Sequence, residues 1–182
     1  MTTLTADQIA AYHRDGFLFP FDVLDAGEVA AANAALARLE AAPQAIRKGV
    51  LSSKSYLVSR TLYDICRKPA VVSRVADVLG GDALLWSAGF FVKEAQTPHY
   101  VSWHQDLTYW GLEPEDVVTA WIALTPATAE SGCMRMIPGS HRAGLWAHND
   151  NPTPESLVRR GQTVGDHLTD KDGVLVPLKA GE

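Results

Sequence analysis

Two cysteines in 182 residues, Cys66 and Cys133, are too few and too far apart in the chain to build a disulfide framework. A cytoplasmic chain with reduced thiols is the expectation. Positive charge is also scarce: 16 Lys and Arg against 21 Asp and Glu leave a net charge of −5. No basic stripe exists to displace counterions from a phosphate backbone, so nucleic acid is not an expected partner. No apolar run approaches the roughly 20 residues that a membrane helix needs, so no membrane partner is expected. The stretch from Met1 to Gln8 is polar and lacks the basic-then-apolar order of a signal peptide. A P-loop, a dinucleotide-binding glycine fingerprint, an HExxH helix, a nucleophile elbow and a CxxC pair are all missing. Nothing in the sequence addresses oligomeric state.

What is present suits a globular protein. Hydrophobic residues make up 47% of the chain and charged residues 20%, and a chain of this length buries roughly 70% of its extended surface. A single domain over residues 1–182 is expected, helical over 1–81 and β-rich over 82–182. Thr5 and Gln8 have capping-box spacing, Ile9 and Tyr12 share a face, and Gly16 supplies a stop. The run Phe17 to Phe21, with Pro20, reads as a short edge strand. Asp25 and Glu28 form a second capping box, and Val29, Ala32, Leu36 and Leu39 continue at helical spacing to Pro43. Two more helices are expected, from Leu57 to about Arg67 and from Pro69 to Leu79. Beyond Gly81 the texture turns to β. Ala83 to Lys93, residues 100–106, residues 117–125 and Gly132 to Ile137 read as strands, and Val174 to Leu178 as a last one. Polar material fills about 148–173. Helices first and strands later indicate an α+β fold with helices packed on one face of a sheet.

Histidine beside carboxylate is the chemistry that remains. On a strand, a histidine, one spacer and an aspartate place both side chains on one face. Such a pair supplies two ligands of a 2-His-1-carboxylate facial triad and leaves the opposite face of the metal open. The pattern occurs three times. His13-x-Asp15 ends a helix, where i and i+2 diverge, and His148-x-Asp150 lies among Asn149, Asn151 and Pro152 in loop-like sequence. Both read as solvated surface. His104-x-Asp106 follows the strand-like Tyr100-Val101-Ser102-Trp103 and is either a metal pair or a structural one.

The run Ser102-Trp103-His104-Gln105-Asp106-Leu107-Thr108-Tyr109-Trp110 resembles the WHxD…YW signature of the phytanoyl-CoA dioxygenase family. Residues 120–125 (AWIALT) and the stretch Glu130 to Arg142, which holds SGCMRMIPGSHR, resemble that family's strand and its NGC…PGSHR turn, with Ser131 in place of Asn. Asp15-Gly16-Phe17 resembles its opening. The resemblance implies an iron(II)- and 2-oxoglutarate-dependent dioxygenase on a double-stranded β-helix, which hydroxylates a small organic substrate with O2 and releases succinate and CO2.

By that resemblance His104 and Asp106 are two of three iron ligands. Related halogenases carry a small residue at the aspartate position, so Asp106 points to hydroxylation. Trp121 matches a tryptophan near the cosubstrate, or is a core aromatic. Phe91 lines the same pocket or packs in the core, and Lys54 contacts 2-oxoglutarate or is solvated. Tyr109 and Trp110 line the substrate mouth or pack. His141 looks catalytic but reads better as a residue fixing its turn by hydrogen bonding, and Cys133 as an inert thiol.

The family's third ligand, a histidine, and an arginine for the distal carboxylate of 2-oxoglutarate follow a Leu-Lys-Ala-Gly-Glu strand. Here that strand is Leu178 to Glu182, the last residues of the sequence. The domain is therefore expected to be incomplete at its C-terminal end, or else His148 or His167 substitutes. The other function class left open is a non-catalytic β-helix binding protein with an incomplete metal site. No basic cluster suggests a coenzyme A phosphate site, and the sequence does not select a substrate.

Overall fold

The computed structural model describes residues 3–44, 51, 53–150, 153–158, 162–165, 168–169 and 171–182. Its first half is helical, as local capping chemistry dictates. Helix α1 (Ala6–Asp15) starts at a complete capping box: the Thr5 hydroxyl accepts from the Gln8 amide, and the Gln8 side chain accepts from the Thr5 amide. It ends at Gly16, in the left-handed region at φ 88°. Helix α2 (Ala26–Glu40) repeats the device with Asp25 and Glu28 and stops at Glu40, short of Pro43. A single 3-10 turn (Ser55–Leu57) and helix α3 (Arg60–Cys66) replace the one helix expected from Leu57. Ser59 caps α3 through its hydroxyl, which fixes the start three residues late. Helix α4 (Pro69–Leu79) matches its expected bounds, with proline in its first turn and Gly80 at its end.

The second half departs from expectation. Among the described residues only short strands form: β1 (Met134–Met136), β2 (His148–Asn149), β3 (Thr163–Val164) and β4 (Val174–Val176), paired β1 with β4 and β2 with β3, both antiparallel. Residues 83–93, 100–106, 117–125 and Phe17–Phe21, all read as strands, carry no regular ladder. Their apolar texture is that of extended chain, but their backbone partners are sparse. Residues 83–93, for example, bond to the 51–55 segment through Phe90 N–H to the Leu51 carbonyl and Ser55 N–H to the Ala88 carbonyl. Conversely, β2 and β3 lie in the stretch read as polar loop.

One ribbon organises the core. Residues 174–182 pair first through β4 with β1, then onward with 123–127. Leu178 and Ala127 exchange both backbone hydrogen bonds at 2.9 Å, and the Ala123 amide donates to the Glu182 carbonyl at 2.8 Å. Residues 128–132 loop out between the two pairings, closed by the Cys133 amide on the Thr128 carbonyl at 2.8 Å. Helix α2 is tied to this ribbon: Ala32 and Ala35 are buried, and the Asn33 amide donates to the Leu124 carbonyl at 2.9 Å. The amides of Val23 and Leu24 both donate to the Gly181 carbonyl. Leu24, Ala123, Val176 and Leu178 are buried, and each large side chain among them contributes about 1.5–3 kcal/mol. No helix among the described residues is long and apolar enough to cross a membrane.

Candidate metal centre

His104 and Asp106 meet, although not as neighbours on a strand. Asp106 opens a 3-10 turn (Asp106–Tyr109), but Gln105 before it is extended at φ −119° and ψ 128°, so His104 and Asp106 project to the same side as they would on a strand. His104 Nε2 and Asp106 Oδ1 lie 3.2 Å apart. Two ligands about 2.1 Å from one ion and at right angles would be separated by about 3.0 Å, so the spacing fits a shared metal.

Each partner is held by the atom that faces away from the other. His104 Nδ1 bonds the Ser102 carbonyl at 2.8 Å, which assigns the ring proton to Nδ1 and leaves the Nε2 lone pair facing the carboxylate. Asp106 Oδ2 accepts the Thr119 hydroxyl at 2.7 Å. Burial, the largest influence on His104, lowers its pKa, but the Asp106 hydrogen bond, the Ser102 carbonyl and the Asp106 charge together outweigh it and raise the pKa above its ordinary value. The Asp106 carboxyl is lowered, chiefly by His104 and further by Thr119, against the opposing effect of burial. A neutral imidazole lone pair and a carboxylate at this distance repel unless a cation lies between them, either a proton or a metal ion. Among the described residues no third histidine, cysteine or carboxylate joins the pair.

Tyr109 closes one side. Its ring stands edge-on to His104 at 5.8 Å and to His148 at 6.4 Å, and its hydroxyl is buried without a hydrogen-bond partner among the described residues. Trp110 ends the same turn, half-buried, with its amide on the Leu107 carbonyl. Lys54 adopts a left-handed backbone at φ 57°, and its ammonium lies 5.4 Å from the centre of the Trp86 ring. Phe91 is 52% exposed and Trp121 36%. No hydrogen bond or ion pair among the described residues ties Lys54, Phe91 or Trp121 to the His104–Asp106 pair. A shallow pocket opens beside His104, lined by Trp103, Gln105, Arg135, Trp146 and Val164 among others.

His148 corrects the loop expectation. It lies in β2, and both its nitrogens are engaged, Nδ1 with the Trp146 carbonyl at 2.9 Å and Nε2 with the Gln105 amide at 3.0 Å. With Nε2 taken in this way, it offers no lone pair to a metal. His167 lies outside the described residues. The side chains of His13 and Asp15 stay at the surface, His13 exposed and Asp15 paired with Arg14, while the backbone carbonyls of both accept hydrogen bonds from the 139–141 turn. Sequence reasoning missed Thr119, although a hydroxyl two residues before Trp121 in an apolar stretch is a visible signal. Gln105 and His148 were missed as partners, and no local pattern marks that pairing.

The sequence model of phytanoyl-CoA dioxygenase (PhyH) matches residues 12–182. The ectoine dioxygenase of Streptomyces avermitilis is 27% identical over 187 residues, covering 94% of this chain and 63% of the relative. The L-proline trans-4-hydroxylase of Streptomyces griseoviridis is 30% identical over 117 residues, 62% of this chain and 42% of the relative. Among solved structures, the non-heme monooxygenase ThoJ in its apo form superposes with a TM-score of 0.75 at 28% identity, covering 96% of this chain and 65% of that one. The chain thus spans less than two thirds of the length of these relatives.

Proposed function

The chain belongs to the phytanoyl-CoA dioxygenase family, and from that premise we propose that the protein is an iron(II)- and 2-oxoglutarate-dependent dioxygenase that hydroxylates a small organic substrate. The observation that carries this reading is the convergence of His104 Nε2 and Asp106 Oδ1 at 3.2 Å, with their outer atoms tied to Ser102 and Thr119. The donor set fits the metal: a neutral imidazole and a carboxylate suit Fe(II), and the Asp106 charge offsets part of the dication. When bound, iron with 2-oxoglutarate and O2 supplies the oxidising equivalents for C–H hydroxylation, with succinate and CO2 as co-products.

The protein's own residues do the rest. His104 presents its lone pair because Ser102 holds the ring proton on Nδ1, and Asp106 presents Oδ1 because Thr119 occupies Oδ2. Tyr109 and Trp110 screen the pair from water and face the substrate. Trp121, Phe91 and Lys54 are proposed to border the 2-oxoglutarate site. The proposed fold is a double-stranded β-helix in one oxygenase domain with the N-terminal helices on one sheet, supported by the likeness to a non-heme monooxygenase and by the antiparallel ribbon under α2. Relatives named for ectoine and proline support a small polar substrate, and a cytoplasmic location goes with the two free thiols.

The two-donor site among the described residues favours one competing reading, a binding protein of the same fold without catalysis. Anaerobic Fe(II) titration and succinate formation across a small-molecule panel separate them. The oxygenase reading expects micromolar or tighter iron binding and substrate-dependent succinate, both lost in His104→Ala. Decarboxylation of 2-oxoglutarate by that variant at the parent rate overturns the assignment.

A further inference from the structure

The HxD pair has no strand ladder behind it, so something else must hold its backbone. On one side the segment is anchored to β3. The Val164 amide donates to the Trp103 carbonyl at 2.9 Å, and the Ser102 hydroxyl donates to the Gln162 carbonyl at 2.8 Å. Upstream, Tyr100 pairs with Ser156 in parallel sense. Continued as a parallel ladder, the Trp103–Val164 bond would be followed by the Gln105 amide on the Val164 carbonyl, because the residues flanking one position bond the same facing residue. It does not go there. The Gln105 amide donates to His148 Nε2 at 3.0 Å.

We propose that His148 and Gln105 form a clasp that positions the metal-binding pair, the His148 imidazole standing where a ladder carbonyl would otherwise accept. This inference rests on the reading of His104 and Asp106 as the iron site. His148 belongs to β2 and pairs with Val164, so its ring arrives from the strand that neighbours the missing acceptor. Its Nδ1 donates to the Trp146 carbonyl at 2.9 Å, which fixes the tautomer and keeps Nε2 an acceptor. The Gln105 side chain completes the clasp. Its amide donates to the Gly144 carbonyl at 2.9 Å, and its oxygen accepts the Trp146 amide at 2.7 Å. Three hydrogen bonds thus bind the one residue between the two ligands to the 144–148 segment. The clasp holds Gln105 in its extended conformation, so that His104 and Asp106 project to the same side and Oδ1 lies 3.2 Å from Nε2. Tyr109, edge-on to both rings, braces the arrangement. His148 is a positioning residue and touches no reacting atom.

The test compares the parent with His148→Ala, His148→Gln and Gln105→Leu by anaerobic Fe(II) titration, thermal unfolding of the metal-free proteins and exchange of the Gln105 backbone amide. Removing an outer partner of a metal site weakens affinity about 10- to 100-fold. His148→Ala is expected to lose about tenfold in iron affinity, with a melting point close to the parent's and faster Gln105 amide exchange. His148→Gln, which restores an acceptor oxygen, recovers most of the affinity. Gln105→Leu, which keeps the backbone amide but loses both side-chain bonds, also weakens iron binding. Parent-like iron affinity in both His148→Ala and Gln105→Leu overturns the clasp and leaves the iron site standing. A parent that binds no iron overturns the proposed function instead, and the clasp is then judged on amide exchange alone, where an unchanged rate in His148→Ala overturns it. If His148→Ala does not fold, Gln105→Leu with His148→Gln decides the same question.

Discussion

The Thr119 hydroxyl donates to Asp106 Oδ2 at 2.7 Å, which leaves Oδ1 turned toward His104 Nε2. A carboxylate with one oxygen engaged cannot rotate freely, so Thr119 selects which oxygen is offered to a metal. Thr119→Val keeps the shape and removes the donor. The expected outcome is about a tenfold loss of Fe(II) affinity, with thermal stability little changed because Thr119 is exposed. Unaltered affinity in a titration would show that the carboxylate needs no such restraint.

The pair also sets a pH dependence. His104 titrates above its ordinary value in the folded chain, so its contribution to stability is full below about pH 6.5 and is lost as pH rises through the folded pKa. Asp106 titrates below its ordinary value, so its contribution is present above about pH 4 and is lost as pH falls through the folded pKa. The metal-free protein should therefore exceed Asp106→Asn in melting point by most between about pH 4 and 6.5. With Fe(II) present, the metal competes with the proton, and its stabilisation grows as pH rises past the His104 pKa. Melting curves of both proteins from pH 3 to 9, with and without iron, check this. A difference that is flat across the range would mean that the two groups do not interact.

Tyr109 carries a buried hydroxyl without a partner among the described residues. Leaving a hydroxyl buried and unpaired costs about 1–3 kcal/mol, so Tyr109→Phe should be as stable as the parent or more so. If the hydroxyl is instead reserved for substrate, the same variant raises KM while kcat changes less. Both measurements are needed. A clear loss of melting temperature in the variant would contradict the unpaired hydroxyl.

The parts of the fold legible in the sequence are those coded locally. Thr5 with Gln8 and Asp25 with Glu28 fix where α1 and α2 begin, because a cap needs partners only three residues away, and Pro69 in the first turn fixes the start of α4 through its own backbone angle. Strands need partners from elsewhere, and that is where expectation fails. The apolar stretches at 83–93 and 117–125 report extended chain, but a ladder exists only where another segment supplies matching donors, and few do. The His104–Asp106 pair is legible as a pair, because the extended backbone of Gln105 between them keeps the strand-like alternation even though no ladder forms there. His148 was unreadable because its partner, the Gln105 amide, is 43 residues away and β2 runs directly into the polar sequence Asp150-Asn151-Pro152.

The two ends of the family resemblance, Asp15-Gly16-Phe17 and Pro138-Gly139-Ser140-His141-Arg142, meet in space. The Gly139 amide donates to the Asp15 carbonyl at 2.8 Å, and His141 Nε2 bonds the His13 carbonyl at 3.1 Å, so the turn occupies carbonyls that the end of α1 would otherwise leave bare. His141 thus fixes its turn onto a helix. Gly16 makes room for it: a Cβ there would collide with the His141 ring, and φ is 88°. Gly16→Ala therefore faces two penalties, about 1–2 kcal/mol for the left-handed backbone and a further displacement of the ring. His141→Ala removes the obstacle, so Gly16→Ala in that background should carry only the backbone penalty. A double-mutant cycle is expected to give a coupling of about 1 kcal/mol, with the single Gly16→Ala variant melting roughly 4–8 °C below the parent for a loss near 2 kcal/mol. Strict additivity of the two substitutions would show that the ring and the glycine do not share that space.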